Sequence, residues 1–170
     1  MEQAKWFERK FTLTEDNALL PAIIERLEGT RLRIEAKINE LSEEVLTRKI
    51  EGKWSITEEI GHLTDLEPLW LGRIEDILNG QTEMRATDLQ NQKTHQAKHN
   101  QVNKKILIAN FGVQRAKLLE KLETLKVEDL EKTALHPRMK TPMRIVDLAY
   151  FVAEHDDHHL AKMTALKKSK

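Results

Sequence analysis

The chain has 170 residues, 33% of them charged and 39% hydrophobic, which suits one domain that buries about 70% of its unfolded surface. Its 28 Lys and Arg balance its 28 Asp and Glu, so no net charge argues for nucleic acid or an anionic membrane as a partner. It has no cysteine, which excludes disulfides, zinc–thiolate sites, iron–sulfur clusters and a cysteine nucleophile.

Charges of both signs are interspersed along the chain, as on a solvated surface. No run approaches the ~18 uninterrupted apolar residues of a transmembrane helix. The segment from Met1 to Lys10 is charged and lacks the apolar core of a signal peptide, so the cytoplasm is the expected location.

Trp6, Phe7 and Phe11 stand among charges and read as an N-terminal arm whose aromatics pack on the body. Thr14-Glu15-Asp16-Asn17 offers helix caps, and Pro21 suits a first turn. Leu20, Ile23, Ile24, Leu27, Ile34, Ile38 and Leu41 then follow helical spacing, predicting a first helix that ends near Leu41. Polar sequence turns at Gly52. Ser55-Ile56-Thr57-Glu58 has the capping-box pattern, and Ile56, Ile60, Leu63, Trp70, Ile74 and Ile77 make the stripe of a second helix closing at Asn79-Gly80. Pro68 should kink it.

Residues 81–99 form a polar connection, long enough to be functional or partly helical. Val102, Ile106, Ala109, Val113, Leu118, Leu119, Leu122 and Leu125 mark a third helix. A second polar connection, residues 126–140, contains the helix-breaking His136-Pro137. Thr141-Pro142 then reads as an N-cap followed by proline at the first helical position, opening a fourth helix. Its stripe is Ile145, Leu148, Ala149, Val152, His155, Asp156, His159, Met163 and Leu166. No strand pattern of useful length appears. Four long amphipathic helices predict an all-α four-helix bundle with long connections, as a single domain over residues 1–170.

Three of the seven histidines fall in Ala153-Glu154-His155-Asp156-Asp157-His158-His159-Leu160. On a wheel at ~100° per residue with Ile145 at zero, His155 falls at ~280° and His159 at ~320°, inside the apolar stripe, whereas His158 at ~220° points to its edge or to solvent. Two buried imidazoles one turn apart need partners. A metal ion is one answer, and hydrogen bonds to Asp or Glu across the core are another. A metal site wants a third protein ligand, and a catalytic one an open position beyond it. His62 borders the apolar face of the second helix. His95 and His99 are also one turn apart, but in a polar stretch where solvation is expected. His136 sits in a loop and reads as structural. Spacing alone does not choose among them.

Gly52-Lys53-Trp54-Ser55-Ile56, Ile60-Gly61-His62-Leu63 and His155-Asp156-Asp157-His158-His159-Leu160 together resemble the DinB/YfiT-like superfamily. The likeness extends to the helix order and to His136-Pro137-Arg138, so it covers most of the chain. It implies an antiparallel four-helix bundle with long crossover connections and one divalent metal ion, nickel or zinc, held by His62, His155 and His159, with water at open positions. His158 is not carried over as a ligand. Relatives in that family include thiol S-transferases that use bacillithiol or mycothiol, maleylpyruvate isomerases and proposed metal hydrolases. The resemblance therefore implies a metal-dependent thiol S-transferase acting on a small-molecule electrophile with a low-molecular-weight thiol as co-substrate. A hydrolase has the same residues with water as nucleophile, and a non-catalytic metal-binding stress-response protein is the alternative of another class. A bundle whose histidines are satisfied by carboxylates needs no metal at all.

Asp65 and Asp156 are candidates to orient imidazole N–H groups. Asp156, at ~20° on the wheel, suits a buried salt bridge equally well. Arg73 and Arg138 are candidates to bind a substrate carboxylate. Dimers are common in the family, and the aromatic arm is compatible with a homodimer.

Overall fold

Small polar groups at the helix starts decide much of where this chain becomes helical. The structure is a computed structural model that describes residues 3–14 and 16–169. Its helices are α1 (Leu20–Ile38), α2 (Glu43–Thr47), α3 (Ile56–Leu78), α4 (Gln92–Gln96), α5 (Lys104–Glu123) and α6 (Ile145–Lys168). Short 3-10 turns and a two-stranded antiparallel ladder, β1 (Ala134–Leu135) with β2 (Pro142–Met143), complete the connections. None of these helices is long and apolar enough to cross a membrane.

The capping box at α3 forms as its sequence predicts. Ser55 Oγ accepts from the Glu58 N–H at 3.2 Å, and Glu58 Oε2 accepts from the Ser55 N–H at 2.9 Å. The helix runs without interruption through Pro68 and stops at Asn79-Gly80, where Gly80 takes φ +69° and Gln81 N–H closes back on Asp76 O at 2.9 Å. At α1 the Asp16 carboxylate accepts from Ala18 N–H and Pro21 sits in the first turn, but the helix ends at Ile38, short of Leu41. Of the four capping residues proposed there, Glu15 lies outside the described residues, as do Met1 and Glu2 of the N-terminal segment and Lys170 at the end of the expected domain. The polar connection after α3 is partly helical, containing α4 and the turn His99–Gln101.

The start of α6 differs from expectation. Thr141 does not cap it and Pro142 is not its first residue. Pro142 and Met143 instead pair with Leu135 and Ala134, which buries Met143, and the helix begins at Ile145. Asp147 explains the shift, because its carboxylate accepts from the N–H of Arg144 at 3.0 Å and from that of Thr14 at 2.8 Å. A carboxylate three residues inside the helix thus caps it and ties down the N-terminal arm.

Helix α3 packs against α5 and α6, and α1 packs against the same two, so α1 and α3 occupy opposite corners of the bundle. Two of the three connections between consecutive long helices, α1 to α3 and α5 to α6, therefore cross a diagonal, while residues 79–103 join the neighbours α3 and α5. Two apolar clusters fill the interior. One gathers around Leu27, Trp70, Ile74, Leu118, Phe151 and Val152, the other around Ile34, Ile60, Leu63, Phe111, Leu160 and Met163. Their order along each helix shows that α1 and α6 run one way and α3 and α5 the other.

Between the clusters lies one buried polar side chain from each long helix: Thr30, Glu67, Arg115 and Asp156. All five N–H groups of Arg115 are used. They meet Glu67 at 3.0 and 2.6 Å, Asp156 at 2.7 and 3.1 Å and the Leu27 carbonyl at 3.0 Å. Thr30 Oγ1 donates to Asp156 at 2.8 Å. Asp156 is therefore a structural partner of Arg115 and not a group that orients a histidine. Arg115→Met strands two buried carboxylates and should lower unfolding free energy by roughly 3–5 kcal/mol, whereas the same change with Glu67→Leu and Asp156→Leu should recover most of that loss. Urea unfolding read by far-UV circular dichroism distinguishes the two variants, and equal losses in both would count against this account.

Candidate metal centre

The spacing on α6 and the position of His62 on α3 bring three imidazoles together near the middle of the bundle. The ring centroids of His155 and His159 are 4.4 Å apart, with His62 at 4.8 Å from His159 and 5.4 Å from His155. One ring nitrogen from each lies within 4.8 Å of the others, and each residue is 4% exposed. His155 Nε2 and His159 Nε2 approach to 3.1 Å. Burial pushes the His62 pKa down to about 4, with Lys162 adding to the effect, and drives His155 and His159 well below the ordinary value. At neutral pH all three present lone pairs, the state that binds a metal ion.

The outward-facing nitrogens show how the rings are held. His159 Nδ1 meets the carboxylate of Glu59, a group 3% exposed. Burial raises the Glu59 pKa to about 7, against the pull of Lys162 Nζ at 3.7 Å. His62 Nδ1 donates to Thr94 Oγ1 at 3.2 Å, and that hydroxyl donates to Asp65 Oδ2 at 3.0 Å. Asp65 thus acts on His62 through Thr94. His99 Nε2 reaches the same Asp65 oxygen at 2.9 Å. The His99 ring lies flat on Gly61, where an added Cβ would come within 2.2 Å of it, so this close approach requires glycine beside His62. His155 Nδ1 is buried with no partner among the described residues.

All three tryptophans wall the site. Trp54 lies 4.6 Å from His62, while Trp6 and Trp70 lie 5.0 and 5.5 Å from His155, measured between ring centroids. Trp6 comes from the N-terminal arm, which packs on the body through Phe11 and Phe151 as its composition implies, although Phe7 remains largely exposed. The trio opens onto a cavity of about 1100 Å³.

Several sequence expectations change here. His158 lies outside the trio but does not face solvent. Gln3 Nε2 reaches its Nδ1 at 3.0 Å, Trp6 covers it, and it is buried. Of the other spaced pair, His95 is exposed, whereas His99 is buried against Gly61. Glu59, Thr94 and Lys162 were not singled out from the sequence. For Glu59 and Lys162 a signal existed, since they sit one helical turn from His62 and His159 respectively, on the same faces. Thr94 carries no periodic signal, because it comes from α4 in the long connection.

These burials set a pH dependence for metal-free protein. Burial pushes the pKa values of His62, His136 and His158 to about 4 and those of His155 and His159 well below the ordinary value, so the unfolded chain takes up protons first as pH falls below ~6.5. Stability is full above that point and is lost toward pH 4, by at most roughly 3 kcal/mol for His62 alone. Glu59, raised to about 7, works in the opposite sense between its unfolded value near 4.5 and 7, but one carboxyl is outnumbered. Thermal midpoints of chelator-treated protein should therefore be flat above pH 7 and fall steadily to pH 4. A midpoint that stays constant or rises on acidification would contradict this assignment.

Residues 26–163 match the sequence profile of the DinB superfamily. Among solved structures, YfiT from Bacillus subtilis matches with a TM-score of 0.80 over 94% of this chain and 91% of that one, at 18% identity. That protein is described as a probable metal-dependent hydrolase with an unusual four-helix bundle topology, and at this identity the likeness establishes the shared fold. No curated protein matches the sequence. With most of its length matched, and the same bundle formed, the chain belongs to the DinB superfamily.

Proposed function

We propose that His62, His155 and His159 hold one divalent metal ion, nickel or zinc, and that the protein is a metal-dependent enzyme acting on a small molecule. The observation that carries this reading is the convergence of three buried, neutral imidazoles from two helices, two of them with the far nitrogen engaged by Glu59 and Thr94. Of the three, only His159 has a carboxylate on its ring among the described residues, His155 Nδ1 has no partner, and the His155 and His159 Nε2 atoms face each other at 3.1 Å, so carboxylates alone do not satisfy the trio. When bound, a divalent ion supplies Lewis acidity, which acidifies a water or thiol and polarises a substrate oxygen.

The remaining chemistry belongs to the chain. Glu59 fixes the His159 ring, and with a pKa near 7 and Lys162 at 3.7 Å it can hold or release a proton beside the site. Trp6, Trp54 and Trp70 limit water around the histidines. The thiol S-transferase reading is favoured by the cavity of about 1100 Å³, which has room for a thiol co-substrate and an electrophile together. The hydrolase reading is favoured by the likeness to YfiT and needs only water as nucleophile.

Tag-free protein should carry about one equivalent of divalent metal, and His62→Ala or His155→Ala should bring this below about a tenth. Tryptophan fluorescence offers a second readout, because a paramagnetic ion bound among these rings quenches it. Gly61→Ala should displace His99, loosen the Asp65–Thr94–His62 chain and weaken metal affinity by roughly 10–100-fold. Metal content unaffected by His62→Ala would overturn the site. For the reaction, metal-loaded protein is offered a chromogenic electrophile with and without low-molecular-weight thiols. Turnover only with thiol selects the transferase, turnover without thiol selects the hydrolase, and none above free metal in either arm counts against both.

A further inference from the structure

Two arginines are buried to the same extent, and only one is neutralised. Arg115 is 2% exposed and spends every N–H on two carboxylates and a carbonyl. Arg73 is 1% exposed, and among the described residues no carboxylate lies within ion-pair distance of it. Its Nε donates to the Arg85 carbonyl at 3.1 Å, and its Nη2 has no partner. Asp76, the nearest acidic influence on Arg73, is taken by Arg85 through hydrogen bonds of 2.7, 2.9 and 2.8 Å. A buried guanidinium without a counter-charge is costly, and the cost is normally removed by pairing.

The contact between Arg73 Nη1 and His136 Nε2, at 3.3 Å, does not supply that pairing. His136 Nδ1 accepts from the backbone N–H groups of Arg138 and Met139, both at 3.2 Å. The neutral ring then carries its proton on Nε2, so two donors face each other with no acceptor between them. Arg138 Nη2 and Trp70 Nε1 are likewise buried without partners. Arg73, Arg138, Trp70 and His136 all line the cavity onto which the histidine trio opens. The residues that carry these donors therefore share one cavity wall, and an anion with acceptor oxygens seated against it would offer them partners.

We propose that Arg73, Arg138 and His136 form a binding subsite for the carboxylate of a small organic acid, which is the substrate class of this cavity. A carboxylate matches the planar forks of two guanidinium groups and accepts several hydrogen bonds with a single negative charge. The surroundings suit an apolar body attached to it. Arg73 lies over Trp70 at 5.3 Å, Arg138 over Phe7 at 5.1 Å, and His136 packs on Phe151 at 5.2 Å. Trp70 also packs on His155, so an acid anchored at Arg73 extends past one ring to the histidine trio. That orientation rests on the proposed metal site, whereas the anion subsite stands on the arginines alone.

The test uses full-length, chelator-treated protein, so that it does not depend on metal. Benzoate is titrated by calorimetry, with benzamide as the neutral isostere and inorganic phosphate as the competing anion. Saturable binding of benzoate, with none of benzamide, is expected. Arg73→Met and Arg138→Gln should each weaken benzoate by roughly 30-fold or more while metal content on reconstitution stays at the wild-type level. His62→Ala should retain benzoate binding even though it loses metal, which separates a failed metal site from a failed anion site. Arg138 is half-buried, so Arg138→Gln remains informative if Arg73→Met does not fold. Equal binding of benzoate and benzamide, benzoate affinity unchanged in a folded arginine variant, or phosphate binding more tightly than benzoate would overturn the proposal.

Discussion

The buried Arg115 layer is the constraint on which the rest of the bundle depends. An arginine with all five donors engaged tolerates little displacement of the groups around it. Here those groups come from the three other long helices: Glu67 on α3, Asp156 on α6, and on α1 the Leu27 carbonyl and, through Asp156, Thr30. Apolar packing on either side permits some sliding, because Leu and Ile accept many neighbours. The polar layer does not permit it. A one-residue slip of α6 would remove Asp156 from Arg115 and leave both charges buried and unpaired, at a cost of several kcal/mol.

Asp156 is also the residue next to His155, so the layer that fixes α6 fixes the site. Rotation and height of α6 are set by Asp156, those of α3 by Glu67, and the three histidines then fall opposite one another. His62 lies five residues from Glu67 on α3, and His159 three residues from Asp156 on α6. The histidines themselves could not impose this. Uncharged, buried and mutually repelling when protonated, they cost stability in the absence of a ligand and gain it only when something binds them. A rigid frame placed beside them by stronger interactions is what makes such a costly arrangement persist.

What the sequence reveals follows from the range of the interactions involved. The capping box at Ser55 and Glu58 and the stop at Asn79-Gly80 are local, and periodicity places His155 and His159 on one face, so these were readable. The wheel reports only a helix's own faces. It could not show that Gln3 and Trp6, some 150 residues away, cover His158. Thr141-Pro142 misleads because its strong local signal is overridden by pairing with Ala134 and Leu135 and by a cap supplied from within the helix by Asp147. Gly61 belongs to the Ile60-Gly61-His62-Leu63 motif, but the reason for glycine there is visible only once the His99 ring is seen lying on it. The inward position of Asp156 marks it for a buried salt bridge, but its partners Arg115 and, through it, Glu67 lie on other helices and carry no sequence signal.

Charge balance connects the frame with the proposed metal site. Glu67 and Asp156 together outweigh Arg115 by one negative charge, and Arg115 lies close enough to depress the His155 pKa. Glu59 brings a second acidic group to His159, held near neutrality only because burial raises its pKa to about 7. Three neutral imidazoles leave a divalent ion its full charge in a low-dielectric interior, which by itself is unfavourable. The excess of acidic groups in the Arg115 layer and a carboxyl able to ionise at Glu59 act in the direction that offsets it. Without such an ion, Glu59 can keep its proton and the excess charge of the layer is moderated by burial, which raises the Glu67 pKa in spite of Arg115. The same groups thus accommodate both states, and they do so with residues that sit outside the histidine trio.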